Sequence, residues 1–508
     1  MSDSLLVISL PLVPMSLAVL SILALQVFNR DITRPLLWAA LLSVIVTGLW
    51  LAKRFWGITE PLYIPLSLWD YSTVLRFDGI KSYFALALAT PALIGFAHQR
   101  ILQNPFLRMV FLFYLTGCAG IVVTGDVFTF FIFYEMMIMA AYVLITVRNN
   151  FYAGIKYMII GSVSSAFLLA GIILLYASAG SFHFSFVRTA ADLAAGNIKL
   201  LMLLFSMAFF VKSAFFPASS WAATCHSATN PLVSAFLSSF TVFSGVYGLV
   251  FLVLEPAAAL GYTPIFDFLR LLSVLTVFFP AVFIFLEPEL KRCIAGSTVF
   301  TIGFIGILLS YQLIEYALVY MIIHAVYKSA MFLLLDHLQI KGMRVYGSRL
   351  TLIIFFTAIF FTAGFFPGLP YFLKYAFIEQ NPLYRILIYT SMFLVFGSFF
   401  KFRYSGNRET AAPVPPKTAG WWFIGSLGSL FAVHMLLFPY YQAPAWYSIL
   451  IDLAILGAAF WGARPLFNSL RVLHKFDTAY IFSNLNVELL LIMTLFFAEI
   501  AILRYVLP

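Results

Sequence analysis

Charged residues and cysteines are both scarce in this sequence. Only 10% of the 508 residues are charged, whereas a soluble domain carries about 25%. The three cysteines, Cys118, Cys225 and Cys293, lie far apart and form no CxxC pair, so they give no metal-binding or redox motif. The chain also lacks a glycine-rich phosphate loop. These absences argue against a soluble enzyme, a redox metalloprotein and a nucleotide-binding domain.

Hydrophobic residues are abundant instead, at 63% of the chain, and 18% of all residues are aromatic. Apolar windows of the length that an α-helix needs to cross about 30 Å of hydrocarbon recur along the whole sequence. Sixteen windows lie at 5–27, 36–52, 81–97, 107–124, 127–147, 157–179, 199–216, 230–254, 268–286, 295–311, 314–335, 350–378, 384–400, 419–438, 445–463 and 485–505. We therefore predict an all-α polytopic membrane protein with about 14 to 16 transmembrane helices.

The net charge of +10 has an explanation that involves no nucleic acid. Connections on one side of the predicted helices carry eighteen Lys and Arg residues, and those on the other side carry nine. The positive-inside rule places the richer side in the cytoplasm and both termini outside it. We expect a multi-pass protein of a bacterial or archaeal cell membrane, in contact with the lipid bilayer.

Three lysines remain inside the predicted helices: Lys212, Lys328 and Lys374. An ammonium group at the bilayer centre costs about 2.5 to 3.5 kcal/mol, and it must face the protein interior or a hydrated cavity, so such a residue is a functional candidate. We expect Glu135 to be the only carboxylate well inside a helix. The simplest inference pairs Glu135 with Lys212.

Prolines lie close to two of these lysines. Pro217 follows Lys212 by five residues, and Pro367 and Pro370 precede Lys374. Helix interruptions in a membrane are tolerated where the freed backbone groups line a cavity, and paired interruptions in two halves of a chain indicate inverted repeats around an ion path. We therefore predict broken helices near Lys212 and Lys374.

Five segments, in order along the chain, carry a family resemblance. They are "TGDVFTFFIFYEMMIMAAYVLI", "VKSAFFPASSWAATCHSATNPLVSAFLSSFTVFSGVYGL", "EPELKRCIAGSTVFTIGFIGI", "YMIIHAVYKSAMFLL" and "FFPGLPYFLKYAF". Over about residues 70–405 the chain resembles the antiporter-like subunits of respiratory complex I, of membrane-bound hydrogenases and of Mrp-type sodium/proton antiporters.

The resemblance implies two inverted five-helix repeats and a set of proton-translocating residues, which we call the relay residues: Glu135, Lys212, His324, Lys328 and Lys374. It divides the chain into N-terminal helices (1–106), a first repeat (107–254), a second repeat (255–405) and C-terminal helices (406–508). The sequence shows no nucleophile, redox centre or metal cage, so we expect no cofactor, no metal and no catalytic site. The expected partners are other membrane subunits of a hetero-oligomeric complex, with protons or sodium ions as cargo.

The eighth helix departs from the family pattern. Phe243 stands where many members have a lysine. Ser238 and Thr241 supply hydroxyls that could form a relay with water, or could only bond to neighbouring helices. His226, just before this helix, is a candidate either for proton entry or for helix capping.

A lone subunit of this kind has no energy source, so other chains must drive it. Three functions, which differ in the chains that would do so, fit this sequence. We expect a proton- or sodium/proton-translocating subunit of a complex-I-like or membrane-bound-hydrogenase-like assembly. The first alternative is a subunit of a stand-alone Mrp-type cation/proton antiporter. The second is an ion-coupled membrane subunit of an inorganic-carbon uptake complex.

Overall fold

Seventeen helices dominate the computed structural model, which describes residues 3–65, 74–97, 102–146, 150–184, 195–365, 369–405, 446–470 and 484–505. The helices are α1 (Asp3–Gln26), α2 (Thr33–Phe55), α3 (Gly79–Ala97), α4 (Pro105–Val123), α5 (Val127–Thr146), α6 (Phe151–Ala179), α7 (Ala195–Lys212), α8 (Ser220–Ala228), α9 (Pro231–Ala259), α10 (Pro264–Leu286), α11 (Leu290–Ser310), α12 (Ile314–Leu334), α13 (Arg349–Ala363), α14 (Leu369–Gln380), α15 (Arg385–Phe400), α16 (Trp446–Leu470) and α17 (Leu485–Tyr505). Five short strands are β1 (Leu62–Pro65), β2 (Val74–Phe77), β3 (Gln339–Lys341), β4 (Arg344–Tyr346) and β5 (Arg403–Ser405).

Twelve helices within the described part of the chain are long and apolar enough to cross a membrane. Their lipid-facing sides expose large apolar residues, as expected when the surrounding solvent is hydrocarbon. The predicted class, an all-α polytopic membrane protein, is confirmed. The apolar window at 419–438 lies outside the described residues.

Two helices are interrupted beside the predicted lysines. The first, α7, ends at Lys212, and the chain resumes helical geometry only at Ser220, with Ala214 at a φ of +59° between them. The second, α13, ends before Gly364, whose φ of +88° stops the helix, and α14 begins at Leu369. The predicted Pro367 of this second break lies outside the described residues.

The central helix, α9, is buried along almost its entire length. Two segments, Leu237–Thr241 and Leu249–Leu254, have π-helical geometry, which widens the turn and shifts the side chains that follow. A Cβ atom added at Gly245 would collide with Ser213, directly after the α7 break. The glycine therefore allows α9 to pack closely against the interrupted helix.

Short strands join helix ends on each side of the helical bundle. On one side, β1 and β2 form an antiparallel hairpin, and a bridge from Leu75 to Thr124 attaches it to the end of α4. On the other, β3, β4 and β5 form one sheet in which Arg344 is paired with Arg403. Chain segments that share a sheet must lie on the same side of a membrane. The pairing of Arg344 with Arg403 therefore agrees with the sequence-based expectation that the connections carrying these two residues lie on one side. The orientation relative to the cytoplasm stays a prediction.

Candidate functional site: buried lysines at two broken helices

Lys212 ends α7 and is only 2% exposed. Its Nζ donates a hydrogen bond of 3.1 Å to the Tyr157 hydroxyl. The ring centroids of Tyr134, Tyr157 and Trp221 lie 5.2, 4.9 and 5.8 Å from Nζ. Aromatic faces and the C-terminal end of a helix both attract a cation. The ammonium group is therefore held by neutral groups.

Glu135 lies near Lys212 without touching it. Its carboxylate accepts a hydrogen bond from Ser165, and no ion pair within 4.0 Å joins it to Lys212. The predicted pair is therefore not a direct salt bridge, and Tyr134 and Tyr157 lie beside Nζ instead. Glu135 is still the carboxylate whose charge acts most strongly on Lys212. The two residues interact electrostatically without direct contact.

A small cavity adjoins Lys212. Its volume is about 10 Å³, close to the space that one water molecule needs, and its walls are Tyr157, Ile160, Gly161, Val211, Lys212 and Trp221. The Trp221 indole donates a hydrogen bond of 3.1 Å to the Val211 carbonyl. This bond ties the first turn of α8 to the last turn of α7, so both halves of the broken helix shape the surroundings of Lys212.

His324 and Lys328 lie one turn apart on α12, and both are buried. Lys328 Nζ donates to the Ile294 carbonyl at 2.7 Å and to the Ser297 hydroxyl, both on α11. The His324 ring meets the edge of Phe243 at a centroid distance of 5.2 Å. Within the described residues, His324 Nε2 has no hydrogen-bond partner. The residue that replaces the expected lysine of the eighth helix therefore packs directly on His324.

Lys374, on α14, is 1% exposed and reaches back to the end of α13. Its Nζ donates a hydrogen bond of 2.8 Å to the Ala363 carbonyl. A Cβ atom at Gly364 would lie 2.5 Å from Nζ, so the glycine makes room for the ammonium group. The Tyr320 ring, one turn before His324 on α12, lies 5.9 Å from Nζ. Tyr320, His324 and Lys328 thus form a row along α12 that leads to Lys374.

The predicted hydroxyls of α9 point toward different neighbours. Ser238 exchanges a hydrogen bond of 2.8 Å with Thr298 on α11. Thr241 bonds to the Tyr114 hydroxyl on α4. No hydrogen bond joins Ser238 to Thr241 among the described residues, so they do not form one continuous hydroxyl row. The π-helical geometry of this segment turns these side chains away from the directions they would have in a regular α-helix.

His226 is fully buried on α8, and both of its ring nitrogens lack a hydrogen-bond partner among the described residues. Its ring lies 6.2 Å from Trp221 and 6.1 Å from Phe332. Lys328 is the charged group that acts most strongly on it. Asn230, not His226, caps α9. His226 therefore connects the wall of the Lys212 cavity with the surroundings of Lys328.

The buried ion pair between Lys156 and Glu488 was not predicted from the sequence. Lys156 Nζ lies 2.9 Å from Glu488 Oε2, and both side chains are 0% exposed. Glu499, on the same helix as Glu488, is also fully buried and accepts a hydrogen bond from Ser206. The expectation that Glu135 is the only carboxylate well inside a helix is therefore wrong. The available signal was the eleven-residue spacing of Glu488 and Glu499, about three helical turns, which puts them on one face of α17.

More lysines are buried than the three expected. Besides Lys156, the side chains of Lys81 and Lys401 are almost fully buried. Each donates hydrogen bonds to backbone carbonyls near helix ends, such as the two from Lys401 to Ile284 and Phe285, both 2.8 Å. Within the described residues, no three His, Cys, Asp or Glu side chains are placed to hold a metal ion.

Taken together, the fold and the buried groups define a polytopic membrane protein with ionisable side chains at two interrupted helices. Residues 124–403 match the family described as NADH:quinone oxidoreductase/Mrp antiporter, TM. The chain belongs to this family, and the resemblance found in the sequence is confirmed.

Individual relatives agree with this assignment. The chain is 29% identical to NADH-quinone oxidoreductase subunit N of Desulforudis audaxviator, over 54% of this chain and 55% of that protein. It is 27% identical to subunit M of Pseudomonas aeruginosa, over 61% of this chain and 68% of that one. The matched region thus spans little more than half of the subunit N relative.

Two solved structures share the fold. A chain of the membrane-bound sulfane sulfur reductase, an archaeal respiratory membrane complex, aligns with a TM-score of 0.73 and 19% identity, covering 91% of this chain and 99% of that one. A chain of the Mrp complex from Dietzia sp. DQ12-45-1b aligns with a TM-score of 0.74 and 19% identity, covering 91% of this chain and 56% of that one.

Proposed function

We propose that this chain is a proton- or sodium/proton-translocating, antiporter-like subunit of a multisubunit assembly of the complex I or membrane-bound hydrogenase type. The observation that carries the proposal is the burial of Lys212, Lys328 and Lys374 without any carboxylate within ion-pair distance among the described residues. Lysines are costly inside a membrane protein and mark ion pathways there. Lys212 and Lys374 are buried at the two helix breaks in spite of this cost, and such positions are suited to moving charge.

In the first step of the proposed ion translocation, Lys212 is a switch that is loaded with a proton and unloaded. Burial favours the neutral form of a lysine, and a nearby carboxylate favours the charged form. Glu135 supplies that carboxylate at a distance, and the small cavity beside Lys212 has about the volume that one water molecule needs. A change of charge at Glu135 or in a neighbouring subunit therefore loads or unloads Lys212.

The next step carries the proton from Lys212 to the second repeat. His226 supports this step, because its ring nitrogens, which have no hydrogen-bond partner among the described residues, can accept or donate a proton, and its ring packs near Trp221, which lies near Lys212. From there Lys328 and His324 pass the proton along α12. Lys374 then delivers it to the exit side or to an adjoining subunit.

The partners follow from the energy requirement. Nothing in the relay residues can supply energy, so ion movement must be driven by other chains in the membrane. The relatives are subunits of quinone oxidoreductases, and the structural neighbours belong to a respiratory complex and an Mrp complex. We infer that this chain likewise binds other membrane subunits, and that it lies in the cell membrane with both termini outside the cytoplasm.

Lysine-to-methionine variants test the proposed function. In inverted vesicles from cells with the whole assembly, Lys328→Met and Lys374→Met should each remove most ion-driven or substrate-driven proton movement. Methionine keeps most of the side-chain volume and loses the exchangeable proton. Lys401→Met is the matched control, since Lys401 is equally buried and also donates to carbonyls but lies outside the relay residues. Equal flux in all three variants and the unmodified protein would rule out a lysine relay.

Copurification separates the three parent assemblies. When the chain is extracted in a mild detergent, redox subunits should copurify with it if the main proposal is right. Small hydrophobic antiporter chains without redox subunits would favour the stand-alone Mrp-type antiporter. A soluble zinc protein would favour inorganic-carbon uptake.

A further inference from the structure

The second half of the first broken helix is capped from a distant part of the chain. Ser219, the residue that precedes α8, makes no side-chain capping hydrogen bond. Glu488 of α17 takes this role: Oε1 accepts from the Trp221 backbone N–H at 3.1 Å, and Oε2 accepts from the Ser220 hydroxyl at 2.7 Å. A carboxylate at this end of a helix satisfies free N–H groups and complements the helix dipole.

Lys156 holds the Glu488 carboxylate in this position. Its Nζ lies 2.9 Å from Oε2 and also donates a hydrogen bond to Ser220. Both charged side chains are completely buried, so the contact is shielded from solvent. A buried pair of this kind contributes little net stability compared with apolar residues, but it fixes geometry when every remaining donor is satisfied.

Trp221 links this cap to the ion-translocating lysine. Its backbone N–H bonds to Glu488, and its indole N–H bonds to the carbonyl of Val211, the residue next to Lys212. Its ring lies 5.8 Å from Lys212 Nζ and forms a wall of the adjoining cavity. A displacement of the first turn of α8 would therefore open this wall.

We propose that Glu488 is a positioning residue for Lys212: by capping α8 it holds the Trp221 ring against the Lys212 cavity. The inference rests on the translocation role proposed for Lys212. It assigns to the last helix of the chain a control over water access at the first helix break, although this helix lies outside the two predicted repeats.

Variants at Glu488 can distinguish its role in positioning Trp221 from its role in balancing the charge of Lys156. Lys156→Met is introduced first, so that no lysine is left buried without its partner. In this background Glu488→Gln keeps an oxygen that can accept from Trp221 N–H, whereas Glu488→Leu has no acceptor. Proton flux in vesicles containing the whole assembly should be at least tenfold lower with leucine than with glutamine. The pH of half-maximal flux should also rise with leucine, because water that enters beside a lysine favours its charged form.

Two further variants make the outcomes distinguishable. Glu499→Gln is the matched control on the same helix, since the amide oxygen can still accept from Ser206, and it should leave flux and pH profile unchanged. If Lys212→Met abolishes flux but the glutamine and leucine variants share one rate and one pH profile, the positioning role is overturned and the proposed function stands. If Lys212→Met retains full flux, the proposed function fails and the positioning role fails with it.

Discussion

Replacing Lys212 and Lys156 separately by methionine distinguishes a lysine kept for function from one kept for structure. Both side chains are buried, Lys156 on α6 and Lys212 at the end of α7, which packs against α6. Lys156 has a carboxylate at 2.9 Å, whereas the partners of Lys212 within the described part of the chain are the Tyr157 hydroxyl at 3.1 Å and three aromatic rings. The two substitutions are chemically identical, so their different effects must come from these surroundings.

The magnitudes follow from the contacts. A lysine inside the membrane costs about 2.5 to 3.5 kcal/mol. A hydrogen bond from a charged donor returns about 1.5 to 3 kcal/mol and a desolvated cation–π contact about 2 kcal/mol. These contributions differ by about 0 to 2.5 kcal/mol, so Lys212→Met should change the free energy of unfolding by about 1 kcal/mol, the middle of that range. Lys156→Met leaves Glu488 buried without its cation, which costs about 3 to 5 kcal/mol.

Thermal unfolding of the purified protein in detergent, followed by size-exclusion chromatography of the heated samples, measures the difference. The midpoint should fall by several degrees for Lys156→Met and stay close to that of the unmodified protein for Lys212→Met. The double variant with methionine at 156 and glutamine at 488 should recover most of the loss. A large fall for Lys212→Met would refute the reasoning, because it would show that this lysine stabilises the fold.

Three other predictions follow from the described geometry. Gly364→Ala should lower flux and thermal stability, since a φ of +88° costs an alanine about 1 to 2 kcal/mol and its Cβ would meet an ammonium group; normal values for both would remove the steric argument. His226→Leu should slow proton flux more than Ser238→Ala combined with Thr241→Val, because the histidine ring lies beside both Trp221 at the Lys212 cavity and Phe332 on α12, whereas the two hydroxyls bond to separate neighbours; the reverse order would favour the hydroxyl path. A cysteine introduced beside Arg344 should resist an impermeant external thiol reagent in intact cells, and ready labelling would reverse the predicted orientation.

The fold was largely predictable because membrane burial leaves a strong signal in the sequence. An uninterrupted apolar window must form a helix in hydrocarbon, since its backbone groups have no other partner there. The helix break after Lys212 was also predictable, because Pro217 lacks a backbone N–H and its ring crowds the carbonyl of the preceding turn, which favours a kink or a break. The short strands β3 to β5 were not, since they are only three residues long and carry no alternating pattern.

The candidate site was only partly predictable from the sequence. Lys156 was assigned to a connection because the apolar window began one residue after it, yet α6 starts at Phe151 and carries Lys156 into the protein. Long-range contacts such as the one from Lys156 to Glu488 have no local pattern. The π-helical segment of α9 likewise depends on packing against its neighbours, so the directions of Ser238 and Thr241 required the structure.

The central claim is that Lys212 moves charge under the influence of Glu135. Its most direct test is the rate of proton translocation in inverted vesicles that contain equal amounts of assembled complex, compared among the unmodified chain, Lys212→Met and Glu135→Gln. We predict that both variants assemble and that each retains less than about a tenth of the rate, an increase of at least about 1.4 kcal/mol in the activation free energy of translocation. An unchanged rate in Lys212→Met with intact assembly would contradict it.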